Sequence, residues 1–178
     1  MDTTKNNNKS NIVLIGMAGA GKSTVGKGLA RLSHLGFVDV DTLIEEDQKT
    51  LLQNLLNDLG AQGFRNLEEK VLLSLAYHNH VIATGGSAIY SEAGIEHLKK
   101  SSILVYLDVA LPILKQRVGD FSSRGLVKTD NQSFEQVFAE RQPLYAKHAE
   151  LVVDCTDRSV TDICKVIQAK VSDTFYHF

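Results

Sequence analysis

Residues 11–24 read N-I-V-L-I-G-M-A-G-A-G-K-S-T. The run N-I-V-L-I, apolar after its first residue, stops abruptly at glycine, the pattern of a short strand buried on both faces. Gly16, Gly21, Lys22 and Ser23 then hold the fixed positions of G-x-x-x-x-G-K-[ST]. Beyond them Val25, Leu29 and Leu32 recur at helical spacing up to about His34. Strand, glycine turn, helix is the order in which backbone N–H groups can wrap a phosphate and a helix can add its positive end. The stretch therefore predicts a nucleotide-phosphate cradle of Gly19, Ala20, Gly21, Lys22, Ser23 and Thr24, for ATP in a kinase or motor ATPase or for GTP in a GTPase, which the motif alone does not separate. Within it Lys22 is a catalytic charge on the β and γ phosphates, and the Ser23 hydroxyl is a Mg²⁺ ligand.

Outward from this stretch, short apolar runs alternate with helical patterns. Strands are expected at 37–40, 81–83, 103–107 and 151–153, with one or two helices over 42–60 stopped by Gly60. Further helices are expected at 66–77 and about 160–171. Five such strands predict an α/β fold, a three-layer αβα sandwich around a parallel sheet. Residues 11–178 form one domain on this reading, and the polar, asparagine-rich residues 1–10 a disordered lead-in.

Composition excludes more than it names. The chain has 178 residues, 43% hydrophobic and 22% charged, enough for one core. Its net charge of −2 comes from 19 basic and 21 acidic residues, so no basic field for nucleic acid exists. No apolar run reaches the roughly 18 residues of a membrane span, and the first ten residues lack a signal's apolar core. Cys155 and Cys164 form no metal or redox motif. A cytoplasmic monomer acting on a small molecule is the expectation.

Ligands on such sheets bind beyond the carboxyl ends of the strands. Asp39 and Asp41 fall there, two residues apart, so that alternation along a strand would turn both to one site. One could serve Mg²⁺ and the other accept the proton of an attacking hydroxyl. Gly85, Gly86 and Ser87 follow the third strand. Arg65 precedes an apparent helix, and Arg141 lies in E-R-Q-P-L-Y, where Pro143 interrupts the helical pattern. Both suit a two-pronged grip on a carboxylate. Arg117 and Arg124 bracket G-D-F-S-S, read as a mobile lid over about 118–129 in which Arg124 neutralises charge on the transferred group.

Taken together, G-M-A-G-A-G-K-S-T-V-G, F-V-D-V-D-T-L-I-E, G-F-R-N-L-E, A-T-G-G-S, the Arg117 and Arg124 pair and E-R-Q-P-L-Y resemble the shikimate kinases, in order and spacing, over residues 11–159. The resemblance implies a P-loop kinase with strand order 2-3-1-4-5 that phosphorylates the 3-hydroxyl of shikimate in aromatic amino acid biosynthesis. It implies that Asp41 orients and deprotonates that hydroxyl and that Asp39 acts in the magnesium shell. It further implies that Arg65 and Arg141 hold the substrate carboxylate, with Gly85, Gly86 and Ser87 beside the ring. Arg124 would descend with the lid, and Arg117 and the 156–159 turn, with Arg158, would flank the adenine.

The chain departs from the family pattern at Ser87, where a third glycine is usual, at Ala61, where a glutamate is usual, at 49–52 and at 124–127. Two alternatives stand beside the leading reading. One is a kinase of the same branch acting on another small hydroxy acid or polyol. The other is a nucleotide-binding regulatory module without turnover.

Overall fold

The computed structural model describes residues 9–119, 127–128 and 131–175. Its elements are β1 (Asn11–Ile15), α1 (Lys22–Ser33), β2 (Gly36–Asp39), α2 (Val40–Gln48), α3 (Leu52–Ser74) and β3 (His80–Ala83), then a 3-10 turn (Ala88–Tyr90). They continue with α4 (Glu92–Lys99), β4 (Ser102–Asp108), α5 (Leu111–Val118), α6 (Phe134–His148), β5 (Leu151–Asp154) and α7 (Val160–Phe175). All strands pair in parallel in the order β2-β3-β1-β4-β5, as expected.

β1 is the middle strand, with Val13 paired to Ile82 on one side and Leu104 on the other. All five of its residues are buried, which explains the unbroken apolar run from Ile12 to Ile15. Its first residue is polar yet buried because its side chain is consumed at both ends. Asn11 Nδ2 donates to the Tyr77 carbonyl at 2.6 Å, and Oδ1 accepts from the His80 N–H at 3.0 Å. This ties the starts of β1 and β3 together and leaves their carboxyl ends level. α1 packs on α7, while α3 packs on α2 and α4, so helices flank the sheet.

Five local expectations change. Val40 opens α2 instead of closing β2, because Asp39 caps the helix by accepting from the Asp41 N–H at 3.1 Å. Asp39 and Asp41 therefore meet at a strand-to-helix corner and not by alternation along a strand. Gly60, with φ 66 and ψ 175, breaks the helical geometry, but the chain re-enters the helix and α3 runs on to Ser74. Arg65 accordingly sits inside α3, not before a helix.

Pro143 does not end α6. Buried Phe134, Val137, Arg141, Tyr145 and His148 hold that helix on both sides of the proline, and a Ser133–Gln136 capping box opens it. Burial of these anchors outweighs the one backbone hydrogen bond a proline removes. Of the expected tail and lid, residues 1–8, 120–126 and 129–130 lie outside the described residues.

Leu14 is fully buried in the middle strand. Leu14→Ala is expected to lower stability by about 3 kcal/mol, from lost transfer energy and a residual cavity. Val152→Ala, on the half-exposed edge strand, is expected to change it by less than about 0.5 kcal/mol. Urea midpoints of the two variants check the contrast.

Candidate functional site

The loop from Gly16 to Thr24 joins the end of β1 to α1. Gly16 has φ 146, and a side chain there would meet the Leu107 carbonyl at 2.9 Å, so only glycine lets the loop turn against β4. Gly21, at φ 90, is the N-cap of α1 and offers no side-chain cap. The first N–H groups of α1 thus face the cleft without a side-chain acceptor, the arrangement that favours an anion. Lys22 lies under this loop, donating to the carbonyls of Gly16 at 2.7 Å and Met17 at 2.9 Å. Burial lowers its pKa to about 8, against the pull of Asp41 and Asp39, which favour its charge.

A cleft of about 390 Å³ opens from the loop across the carboxyl ends of β1 and β3. Gly19, Gly21, Lys22, Ser23, Thr24, Asp41, Gly85, Gly86, Ser87, Arg117 and Arg141 all line it. The structure therefore gathers most of the predicted site residues around one space. Asp39 reaches that space through Ser23, whose hydroxyl donates to Oδ2 at 2.5 Å. Two hard oxygen donors side by side suit Mg²⁺, which needs few protein ligands. Ala20 is buried beside the loop, 3.5 Å from where a Gly16 side chain would lie.

Asp41 is held above the ordinary carboxylate range, at about 6, by burial; the nearby Lys22 charge pulls the other way. A second carboxylate faces the same corner. A side chain on Gly85 would come within 2.4 Å of Glu68 Oε1 and 2.8 Å of Asp41 Oδ1, so glycine is what lets the two acids approach. Glu68 is 1% exposed, and burial first, then Asp41, raises it to about 7.

The Ser87 hydroxyl donates to Glu68 Oε2 at 2.5 Å, while Oε1 is buried without a partner. Ser87 thus both lines the cleft and turns its hydroxyl into a buried acid. Sequence reasoning gave Glu68 no role. The signal was its spacing from Phe64 on α3, four residues on, which puts both on the buried face.

Arg141 is 1% exposed and lines the cleft. Its Nε donates to the Tyr90 hydroxyl at 3.2 Å, Nη2 donates to the Val127 carbonyl, and Nη1 lies 3.1 Å from where a Gly86 side chain would be. Arg65 does not line the cleft but stacks on Tyr90, 3.8 Å from the ring centroid, with Nε buried and unpartnered. Among the described residues neither arginine has a carboxylate within 4 Å. Glu140 and Glu68 act on Arg141 only from beyond ion-pair distance, and a buried cation without a direct partner suits an anion in this corner.

Arg117 reaches the Gly19 carbonyl at 3.5 Å from the last turn of α5. Arg158 is exposed after β5 and does not line the cleft, but it and Arg117 both act on Cys155, which burial raises to about 12. The turn at Thr156 is fastened to the start of α5, its hydroxyl accepting from the Ala110 N–H at 3.1 Å. Arg124 lies outside the described residues. Of the family departures, Ser87, Leu52 and Val127 line the cleft, and Ala61 packs on the core.

Residues 18–172 match the family model described as shikimate kinase. A shikimate kinase of Staphylococcus epidermidis is 35% identical over 161 residues, covering 90% of this chain and 94% of the relative. One from Vibrio parahaemolyticus is 36% identical over 162 residues, covering 89% and 94%. The solved shikimate kinase of Acinetobacter baumannii, in complex with shikimate, superposes with a TM-score of 0.84 at 33% identity, covering 93% and 94%. A Sinorhizobium meliloti gluconokinase, 15% identical with a TM-score of 0.52, shares the fold alone. With a family match over most of its length, and relatives above 30% identity that span nearly all of it, this chain belongs to the shikimate kinase family.

Proposed function

We propose that this chain transfers the γ-phosphoryl group of ATP to the 3-hydroxyl of shikimate. The observation that carries the reading is a cleft in which Lys22, Asp41 and the buried Arg141, which has no direct ion pair among the described residues, face one another across the glycine loop. As a member of its family the chain is an ATP-dependent phosphotransferase, and the residues divide that work.

Gly19, Gly21 and Thr24 hold the nucleotide phosphates with backbone N–H groups of the loop and the first turn of α1, and Ala20, whose N–H bonds the Met17 carbonyl at 3.1 Å, shapes the loop around them. Lys22 moves its ammonium from the loop carbonyls to the phosphate oxygens, where charge builds during transfer. Ser23 and Asp39 would hold Mg²⁺, which supplies charge neutralisation across the β and γ phosphates. Arg117 and Arg158 border the nucleotide base.

On the acceptor side Asp41 accepts the proton of the hydroxyl at its carboxylate, and Gly85, Gly86 and Ser87 set the floor. Arg141, with Arg65 beside it, holds the acceptor carboxylate. Leu52, Phe64, Val118 and Val127 form the apolar walls that exclude water. Arg141, buried and without a direct ion pair among the described residues, favours an acidic acceptor over a neutral polyol. A carboxylate placed as Asp41 is would serve no purpose in a module that only binds nucleotide. We read the protein as a cytoplasmic monomer.

A coupled assay with shikimate and Mg-ATP is expected to give turnover; its absence, with ATP binding retained, would reject shikimate as the acceptor. In that assay kcat/KM is expected to rise through a pKa near 6, as Asp41 ionises to become a base. It should fall through one near 8, as Lys22 loses its charge. Asp41→Asn should lower kcat/KM at least about 100-fold and erase the rising limb. Lys22→Met should lower kcat by about 100-fold or more while the melting temperature stays near wild type. The reason is that the charge it removes is one that burial already disfavours. A melting temperature many degrees lower would assign Lys22 a structural role instead.

A further inference from the structure

Tyr90 ends the 3-10 turn that follows β3, and it touches both arginines of the anion corner. The Arg65 guanidinium lies 3.8 Å from its ring centroid and that of Arg141 5.1 Å. Its hydroxyl accepts from Arg141 Nε at 3.2 Å, and the Glu140 carboxylate is close enough to act on it and on both arginines. We propose that Tyr90 is the positioning residue that presets Arg65 and Arg141 as one carboxylate-binding pair, and thereby sets this chain's preference for an ionised acid as acceptor. The inference rests on the acidic acceptor proposed above and adds how the acid is selected.

Two guanidiniums brought together repel, and in a mobile pair they would swing apart. The negative face of one aromatic ring attracts both, and a planar ring gives them a fixed spacing. The hydroxyl adds direction. Its oxygen accepts from Arg141 Nε at 3.2 Å, which fixes that edge of the guanidinium against the ring. With Nε on Tyr90 and Nη2 on the Val127 carbonyl, the remaining Nη1 is the one directed at Gly86 and the cleft.

The ring is itself held. The Tyr90 N–H bonds the Ser87 carbonyl at 3.0 Å within the turn. On either side of it Ser87 donates to Glu68 and Ser91 donates to Glu69, each at 2.5 Å. Both acids belong to α3, the helix that carries Arg65. Three hydroxylated residues of one short segment therefore lock the turn, the helix and both arginines into one unit.

The test uses the full chain, shikimate and its uncharged methyl ester. Tyr90→Leu, which removes ring and hydroxyl, is expected to raise KM for shikimate about tenfold with KM for ATP unchanged, and to lower the preference for acid over ester by a similar factor. Tyr90→Phe keeps the ring and should lose only about threefold. In ¹⁵N–¹H spectra it should speed exchange of the Arg141 Nε proton, which has lost its acceptor. An acid-over-ester preference within twofold of wild type in Tyr90→Leu would overturn the proposal, as would equal losses with both acceptors. Unchanged Nε exchange in Tyr90→Phe would do the same. Failure of the wild type to phosphorylate shikimate rejects the acceptor assignment alone, and the Nε exchange still decides whether Tyr90 holds the pair.

Discussion

The opposition of one buried ammonium and one buried carboxylate governs this site. Lys22 and Asp41 each lose hydration in the cleft, and each recovers part of that loss from the other's charge. Each eases the burial of the other, and both depend on the glycine loop. The loop carbonyls of Gly16 and Met17 satisfy the ammonium, and the loop can reach them only because Gly16 turns against the β4 backbone without a side chain. The parallel sheet serves this arrangement by holding the ends of β1 and β3 level, so that loop and acid share a floor.

Asp39 links the two halves of the chemistry. One of its oxygens caps α2 through the Asp41 N–H, and the other accepts from Ser23 on α1. A single carboxylate thereby fixes the backbone that presents Asp41 and the hydroxyl beside the phosphates. This capping role and a place in a metal shell do not compete, since they use different oxygens. The same economy recurs on the acceptor side, where the turn after β3 contacts Glu68, Arg65 and Arg141 with residues only three apart in sequence.

What could be read from the chain was what local periodicity and a spaced motif encode. The buried strands, the strand order implied by the family resemblance and the loop from Gly16 to Thr24 were legible, because apolar runs and glycines act over a few residues. The misread places are those where tertiary contacts override local preference. Val40 looks like strand but begins a helix once Asp39 caps it. Gly60 and Pro143 read as helix ends, yet buried neighbours carry α3 and α6 past them. α4 and α5 were not anticipated, although S-E-A-G with its Ser91 cap and the proline near the start of α5 were available signals. Glu68 and Tyr90 were silent, since a lone acid in a helix and a lone tyrosine acquire meaning only from what three-dimensional packing sets against them.

The site also runs against the stability of the fold, in a direction set by charge. Asp41 and Glu68 have folded-state pKa values of about 6 and 7, above their values of 3.8 and 4.5 in the absence of structure. Through those windows the folded chain binds more protons than the unfolded one, so these groups withdraw stability as pH rises from about 4 to 7. For Asp41 the loss at neutral pH is on the order of 3 kcal/mol. Lys22 works in the other direction. Its folded pKa near 8 lies below 10.5, so the cost of burying its charge is present at neutral pH and is relieved only as pH rises from 8 toward 10.5. A fold selected for stability alone would avoid all three burials. Their presence in one cleft is what a phosphoryl-transfer site requires, because a carboxylate that is hard to ionise is a stronger base once ionised, and a poorly hydrated ammonium interacts more strongly with phosphate.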